Sequence, residues 1–394
     1  MRILGIETSC DETSISILEF KAKNQCRILA NFVFSQIAVH QPFGGVVPTL
    51  AKREHQKNLV PILKLSLKKA GLLKKKKSVI NAQKLAVLEA ILGREDLLKR
   101  QFLLFLKNYQ KPAIHLIAVT AGPGLAPALW PGVNFARALS FDWNIPLVGI
   151  NHLEGHILSN WLPQTENQWT KINLTKKIFP ALSLIVSGGH TQLVLIKKIG
   201  EYKIIGETRD DAAGECFDKT ARLLNLGYPG GPAIAKEAEK VKKMQLKTKI
   251  ILPRPMINSQ DFDFSFAGLK TAVLYLIEDL KKQKINFKDL TPFIAKEIQN
   301  SINEVLVIKT IKAAQKLGVK SVILGGGVSA NEDLKNLLKR EVSEKLSNVA
   351  LFIPEPRYTG DNAAMIALTA WFKQKTALKN TWQKLEADAN LRLK

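Results

Sequence analysis

Two histidines four residues apart are the first candidates for chemistry. His152-Leu153-Glu154-Gly155-His156 reads as a helical turn. On a helix the i and i+4 side chains share one face, within reach of a single metal ion. The same pair also suits two ordinary core or surface histidines. The spacing is not that of the zinc peptidases, where a Glu directly after the first His acts on the metal-bound water. Glu154 sits two places on and points to another face. A metal here needs a carboxylate from elsewhere in the chain. Asp361, in Tyr358-Thr359-Gly360-Asp361-Asn362, opens the last predicted helix, where its simplest role is an N-cap.

Glycine-rich turns form a second group. Ser187-Gly188-Gly189-His190-Thr191 joins two predicted strands, and Gly325-Gly326-Gly327-Val328-Ser329-Ala330-Asn331 follows a strand and opens a helix. Such turns let backbone N–H groups approach a phosphate, aided by the helix N-terminus. Tight turns also use glycine for φ > 0 with no ligand involved. Two of them in one half of the chain, with Gly230-Gly231 as well, point to a nucleotide site. No segment fits G-x-x-x-x-G-K-[ST], and no G-x-G-x-x-G follows the first strand, which disfavours a P-loop and a dinucleotide fold. Carboxylates gather near these turns: Asp11 and Glu12 in the first hairpin, and Asp210-Asp211-Ala212-Ala213-Gly214-Glu215 ahead of Phe217-Asp218-Lys219. Most loop carboxylates cap turns. One at the mouth of a nucleotide cleft could bind ribose hydroxyls or act as a base.

The elements that carry these groups follow one pattern twice. Strands are expected at Arg2–Ser9, Ser14–Phe20 and Arg27–Ser35. A helix over Pro48–Ala70 follows, from the spacing of Leu50, Leu59, Ile62, Leu63 and Leu67. Next come a strand His115–Thr120, a helix with Leu129, Phe135 and Leu139, a strand Leu147–Ile150 and a helix from about Leu153. The pattern restarts with strands Ala181–Ser187, Thr191–Lys197 and Tyr202–Thr208. Helices follow around Cys216–Leu224 and Ile294–Ala314, then a strand Ser321–Leu324, a helix from about Glu332, a strand Ala350–Ile353 and a last helix of about residues 361–375. This predicts a duplicated α/β lobe, residues 1–150 and 151–394, with the last helix returning to the candidate metal site and the ligand site in the cleft between. Pro163–Lys177 reads as a polar loop between the lobes. Gly71–Pro112 carries ten Lys/Arg against three Asp/Glu, including the run Lys74–Lys77. With helical spacing at Leu85, Leu88, Ile91 and Leu92 it reads as a basic helical insertion of about residues 72–111. Its lysines suit either a solvated turn or an RNA-facing patch.

Composition narrows the partners. The 394 residues carry 58 Lys+Arg against 34 Asp+Glu, a net charge of +24, which attracts polyanions, nucleic acid ahead of membrane surfaces. Three cysteines, Cys10, Cys26 and Cys216, are too few and too scattered for a disulfide framework and fit a reducing compartment. Glu7, Asp11 and Glu12 occupy the place of a signal-peptide core, and no apolar run reaches the ~18 residues of a membrane span. A soluble, cytoplasmic, basic protein of more than one lobe is expected.

Taken together, the motifs resemble those of the tRNA N(6)-adenosine threonylcarbamoyltransferases, formerly named O-sialoglycoprotein endopeptidases. The matching segments include residues 3–14, Gly44-Gly45-Val46-Val47-Pro48, Thr120-Ala121-Gly122-Pro123-Gly124-Leu125, Asn151–His156, Val186–Thr191, Asp210–Glu215, Phe264-Ser265-Phe266-Ala267-Gly268-Leu269-Lys270, Gly325–Asn331 and Thr359–Asn362. They run in family order over nearly the whole chain. The resemblance implies an α/β, actin-like ATPase fold of two duplicated RNase H-like lobes with a cleft between them. It implies one divalent metal ion, iron or zinc, held by His152, His156 and Asp361. It also implies a nucleotide portion bound by Ile185, Val186, Ser187, Gly188, Gly189, Asp218, Gly231 and Asn331. The implied reaction moves a threonylcarbamoyl group from threonylcarbamoyl-adenylate, made by a separate enzyme, to the adenosine beside the anticodon in tRNAs reading codons that start with A. An inactive paralogue and a small ATPase are the implied partners.

Within that reading Asp11 is the candidate to position or deprotonate the attacking amine, and the target base must be splayed out of its loop. The chain departs from the family pattern at Trp130-Pro131, where a shifted helix start is expected, and in the length of the segments about 72–111 and 163–177. An actin-like ATPase or sugar kinase would share the fold but have no use for the histidine pair. A non-catalytic RNA-binding paralogue would lack that pair and Asp361.

Overall fold

The computed structural model describes residues 1–21, 24–243, 250–377 and 379–394. They form two compact units, one of Met1–His40, Val46–Leu174 and Asp361–Leu393, the other of Gln41–Gly45, Thr175–Gly360 and Lys394.

In the first unit β1 (Arg2–Glu7), β2 (Glu12–Lys21) and β3 (Gln25–Ser35) make an antiparallel meander. β4 (Leu116–Gly122) adds parallel to β1, and β5 (Leu147–Asn151) parallel to β4. A short β6 (Thr170–Lys171) closes the other edge, giving the order β5-β4-β1-β2-β3-β6. The helices are α1 (Ile37–His40), α2 (Pro48–Lys69), α3 (Ala82–Leu92), α4 (Asp96–Asn108), α5 (Ala126–Trp143) and α6 (His152–Leu158). The apolar stripe of α2 at Leu59, Leu63 and Leu67 packs into one core with Ile15 and Ile17 of β2, Phe102 of α4 and Phe135 and Leu139 of α5. Helical spacing turns those positions to one side, and burying them is what holds the layer together.

The second unit repeats the plan. β7 (Ala181–Val186), β8 (Thr191–Lys198) and β9 (Glu201–Glu207) form a meander, with β10 (Ser321–Gly325) and β11 (Ala350–Phe352) added in parallel, order β11-β10-β7-β8-β9. α7 (Ala213–Leu223), α8 (Gly230–Glu239), α9 (Ala267–Lys282), α10 (Phe287–Leu317) and α11 (Glu332–Lys345) share its core. The chain then returns to the first unit as α12 (Ala363–Lys373), which packs on β1, β2 and α6. Apart from the added edge strand β6, the two sheets share one strand order and direction, the duplicated RNase H-like pattern of the actin-like ATPase fold. No helix among the described residues is long and apolar enough to cross a membrane.

Several expectations need correction. The division falls at Leu174/Thr175 rather than at 150/151, and residues 361–393 belong to the first unit. The buried face of α6 packs on α12, so both stay with the sheet that buries them. Pro163–Lys177 is more than a loop, since Thr170–Lys171 pairs with Gln25 and Cys26 at the sheet edge. The helix at Trp130-Pro131 is not shifted: it starts at Ala126, with Pro127 in its first turn and Pro131 inside it. The loss is one backbone bond near the start of a helix held by Leu129, Val133 and Phe135 in the core. Helices α8 and α9 had no place in the sequence reading.

Candidate active site

His152 opens α6 directly after β5. Asn151 caps that helix, its side-chain oxygen accepting from the backbone N–H of Leu153 at 2.9 Å. One turn on, His156 falls on the same face, and its Nε2 lies 3.1 Å from His152 Nε2. Asp361 arrives from the far end of the chain. Its Oδ1 is 3.1 Å from His156 Nε2 and 3.4 Å from His152 Nε2. All three residues belong to the first unit.

Asp361 is free to face the histidines because it is not the cap of α12. Asn362 is, accepting from Met365 N–H at 3.1 Å. The helix start is pinned where Ala363 N–H donates to Ser14 Oγ at 2.8 Å. Gly5 of β1 allows this approach, since a Cβ there would stand 2.3 Å from the Ala363 carbonyl.

Glu7, at the end of β1 and fully buried, supports the trio. Its Oε2 accepts from Thr120 Oγ1 at 2.5 Å and lies 3.1 Å from His152 Nδ1, while Oε1 accepts from Ser9 N–H at 2.5 Å. With Nδ1–H turned to a carboxylate, the His152 Nε2 lone pair points at His156 and Asp361. Ser9 Oγ joins the arrangement at 3.2 Å from His152 Nδ1 and 3.3 Å from Asp361 Oδ2. Neither Glu7 nor Ser9 stands in a spacing that marks it as a site residue. A buried acid inside an otherwise apolar first strand was the available signal for Glu7.

The charges agree with a cation site. Burial works against a charged His152, but the Asp361 and Glu7 carboxylates outweigh it and hold the imidazole well above its ordinary value. Burial likewise disfavours the charge of Asp361, yet the two rings hold its carboxyl well below the usual range. Burial, then Asp11 and Asp361, push Glu12 well up. The Asp361 and Glu7 carboxylates thus favour a proton on His152, which a bound divalent ion would displace. The ligand geometry fits too. An ion about 2.0–2.1 Å from each of its tetrahedral ligand atoms separates those atoms by roughly 3.4 Å, close to the 3.1, 3.1 and 3.4 Å found here. Glu154 stays out of the set, paired with Lys373 of α12. Glu154 is therefore not placed as the general base at the trio.

Asp11 lies in the turn between β1 and β2, mostly buried, and after burial itself its charge helps push up the Cys10 thiol and the Glu12 carboxyl beside it. The turn is held from behind, with His55 Nε2 3.0 Å from the Cys10 carbonyl.

The glycine turns lie in the second unit. Ser187-Gly188-Gly189-His190 links β7 to β8 as a tight turn, closed by Ser187 N–H to the His190 carbonyl at 2.8 Å. Gly214 in the first turn of α7 abuts it, a Cβ there standing 2.5 Å from the Ser187 carbonyl. Gly188, Gly189 and Gly231 have open space where a Cβ would be. Ile185 and Val186 are buried strand residues leading into the turn. Asp218 Oδ1 accepts from Gly230 N–H at 2.6 Å, joining α7 to the start of α8. Asn331 caps α11, accepting from Leu334 N–H at 2.9 Å, and donates to Gln299 Oε1 at 2.8 Å. The acidic run has structural work: Asp210 accepts from Phe266 N–H at 2.7 Å at the start of α9, and Asp211 and Glu215 pair with Lys219.

A family model described as tRNA N6-adenosine threonylcarbamoyltransferase matches residues 27–82 and 101–368. A protein of that name from Thermosipho africanus (strain TCF52B) is 39% identical over 393 residues, covering 100% of both chains. One from Bacillus subtilis (strain 168) is 42% identical over 369 residues, covering 93% of this chain and 89% of its own length. Among solved structures, full-length HypF in its phosphate- and nucleotide-bound form aligns at TM-score 0.51 and 10% identity over 95% of this chain and 46% of that one, a likeness of fold alone.

Proposed function

This chain belongs to the family of tRNA N6-adenosine threonylcarbamoyltransferases, and we propose that it transfers the threonylcarbamoyl group of threonylcarbamoyl-adenylate to the N6 amine of the adenosine beside the anticodon. The observation that carries this reading is the convergence of His152, His156 and Asp361 on one point from segments some two hundred residues apart. These three side chains would hold one divalent ion, iron or zinc, which when bound supplies Lewis-acid polarisation and orientation of the carbamoyl carbonyl.

The remaining steps fall to the chain's own groups. Glu7 and Ser9 keep His152 and Asp361 aimed inward. Asp11 positions the weakly nucleophilic amine and takes its proton as the N–C bond forms. The carbamoyl–phosphate bond breaks and AMP leaves. The open backbone at Gly188 and Gly189 receives the phosphate, with Ile185, Val186, Ser187, Asp218, Gly231 and Asn331 framing the rest of the nucleotide. In the proposed division of labour the first unit holds the metal and the second the nucleotide. The net charge of +24 draws tRNA from the cytoplasm without regard to sequence. An inactive paralogue and a small ATPase complete the proposed assembly.

The test is mass analysis of nucleosides from tRNA incubated with the protein, threonine, bicarbonate, ATP and the companion enzymes. Wild type yields threonylcarbamoyladenosine, and His152→Ala and Asp361→Ala lose both product and bound metal. Full transfer by metal-free protein would reject the role assigned to the trio.

A further inference from the structure

The first unit carries a lysine-rich surface that none of the steps above uses. α2 ends at Lys69, and Leu72 N–H folds back to the Leu67 carbonyl at 2.8 Å. The next residues do not form a loose loop. Lys74–Ser78 runs antiparallel to the end of α4: Gln110 N–H donates to the Lys74 carbonyl at 3.1 Å, Lys75 bridges Tyr109, and Lys76 and Ser78 N–H donate to Asn108 and Lys107 carbonyls at 2.9 and 3.0 Å. The clip holds Lys74–Lys77 beside Lys107, all exposed. The Lys64 ammonium, 5.6 Å from the Tyr109 ring, adjoins it.

Among the described residues no ion pair neutralises this cluster. Residues 64–88 and 97–111 contain no Asp or Glu. The nearby ion pairs are Lys57–Glu54, Lys84–Asp142 and Lys99–Asp96, none of which involves the clip. Holding like charges together costs stability unless a polyanion offsets it. The family model passes over residues 83–100, which connect the two strands of the clip, while Lys64, Lys74–Lys77 and Lys107 fall within the matched segments.

We propose that Lys74–Lys77, with Lys64 and Lys107, form a docking surface for the phosphate backbone of RNA, taken here as the tRNA substrate. This rests on the tRNA-modifying reading above. RNA is favoured over a lipid surface because α3 and α4 spend Leu88, Ile91, Leu92, Leu98, Phe102 and Phe105 on the unit's own core. A helix lying in a bilayer needs that face for lipid.

The test uses the full chain with Lys74, Lys75, Lys76 and Lys77 all changed to Ala, beside a variant with all four changed to Arg. Filter retention of unmodified tRNA is measured from about 0.05 to 0.2 M salt. The Ala variant should bind at least about tenfold more weakly, with a salt slope reduced by up to about 3, while the Arg variant keeps both values. Unchanged affinity and slope in the Ala variant would overturn the proposal. So would unchanged tRNA binding together with lost retention on phosphatidylserine vesicles, the lipid outcome. Failure of the transfer reading shows separately, as a wild type that binds tRNA but makes no threonylcarbamoyladenosine.

Discussion

Glu7 Oε2 lies 3.1 Å from His152 Nδ1, and neither group has access to solvent worth the name. The carboxylate at the end of the first strand therefore decides which ring nitrogen of a residue 145 positions later is left with a lone pair. Both Glu7 oxygens are already accepting, from Ser9 N–H and Thr120 Oγ1. In Glu7→Gln one oxygen becomes an NH2 that must face a donor. We expect metal affinity to fall by about 10- to 100-fold with the fold retained. Metal titration followed by elemental analysis checks this, and an unchanged affinity would mean that Glu7 does not orient the ring.

The glycines of the second unit separate close-packed positions from the open ones proposed to face the phosphate. Gly188 has open space where a Cβ would be, whereas one on Gly214 would stand 2.5 Å from the Ser187 carbonyl. Gly188→Ala should leave stability within about 0.5 kcal/mol while raising KM for the adenylate, because the methyl occupies the approach of the phosphate. Gly214→Ala should instead cost about 1–3 kcal/mol. Denaturant unfolding and steady-state kinetics on both proteins tell the two effects apart. Equal KM for Gly188→Ala and wild type would remove the phosphate from that turn.

His55 predicts a pH dependence of stability. It is buried with Nδ1 2.8 Å from Thr13 Oγ1 and Nε2 3.0 Å from the Cys10 carbonyl, and burial holds its imidazole down to about 4. The unfolded chain takes up this proton near pH 6.5, and the folded chain does not until about pH 4. Its contribution is therefore intact above pH 6.5 and is lost as the pH falls toward 4, by up to about 3 kcal/mol. His55→Gln should show a shallower loss of stability than wild type between pH 6.5 and 4.5 in denaturant titrations. Parallel curves for the two proteins would show that His55 is not the linked group.

Much of the fold was legible because it is local. The alternation of buried strands and the stripe of Leu59, Leu63 and Leu67 depend only on neighbours along the chain. The sharing of one face by His152 and His156 is a property of the helical turn itself. The start of α5 was misplaced because tertiary burial of Leu129 and Phe135 tolerates a proline that local preference would exclude. α8 passed unseen because its buried face, Gly230, Ile234 and Ala238, carries one large apolar side chain, whereas the stripe of α9 at Leu269, Val273, Ile277 and Leu280 has regular helical spacing and was legible.

By itself the sequence determined that two α/β repeats exist, that a histidine pair can share a ligand, and that glycine turns stand at strand ends. Tertiary structure alone decided that Asn362 rather than Asp361 caps the last helix, leaving the Asp361 carboxylate to face the two rings. It also decided that Glu7 and Ser9 sit behind them. The physical reason is range: helix and strand patterns are written in spacings of two to four residues. The meeting of positions 7, 152 and 361 depends instead on strand register and on how closely α12 can pack against Gly5, quantities set by the packed core as a whole.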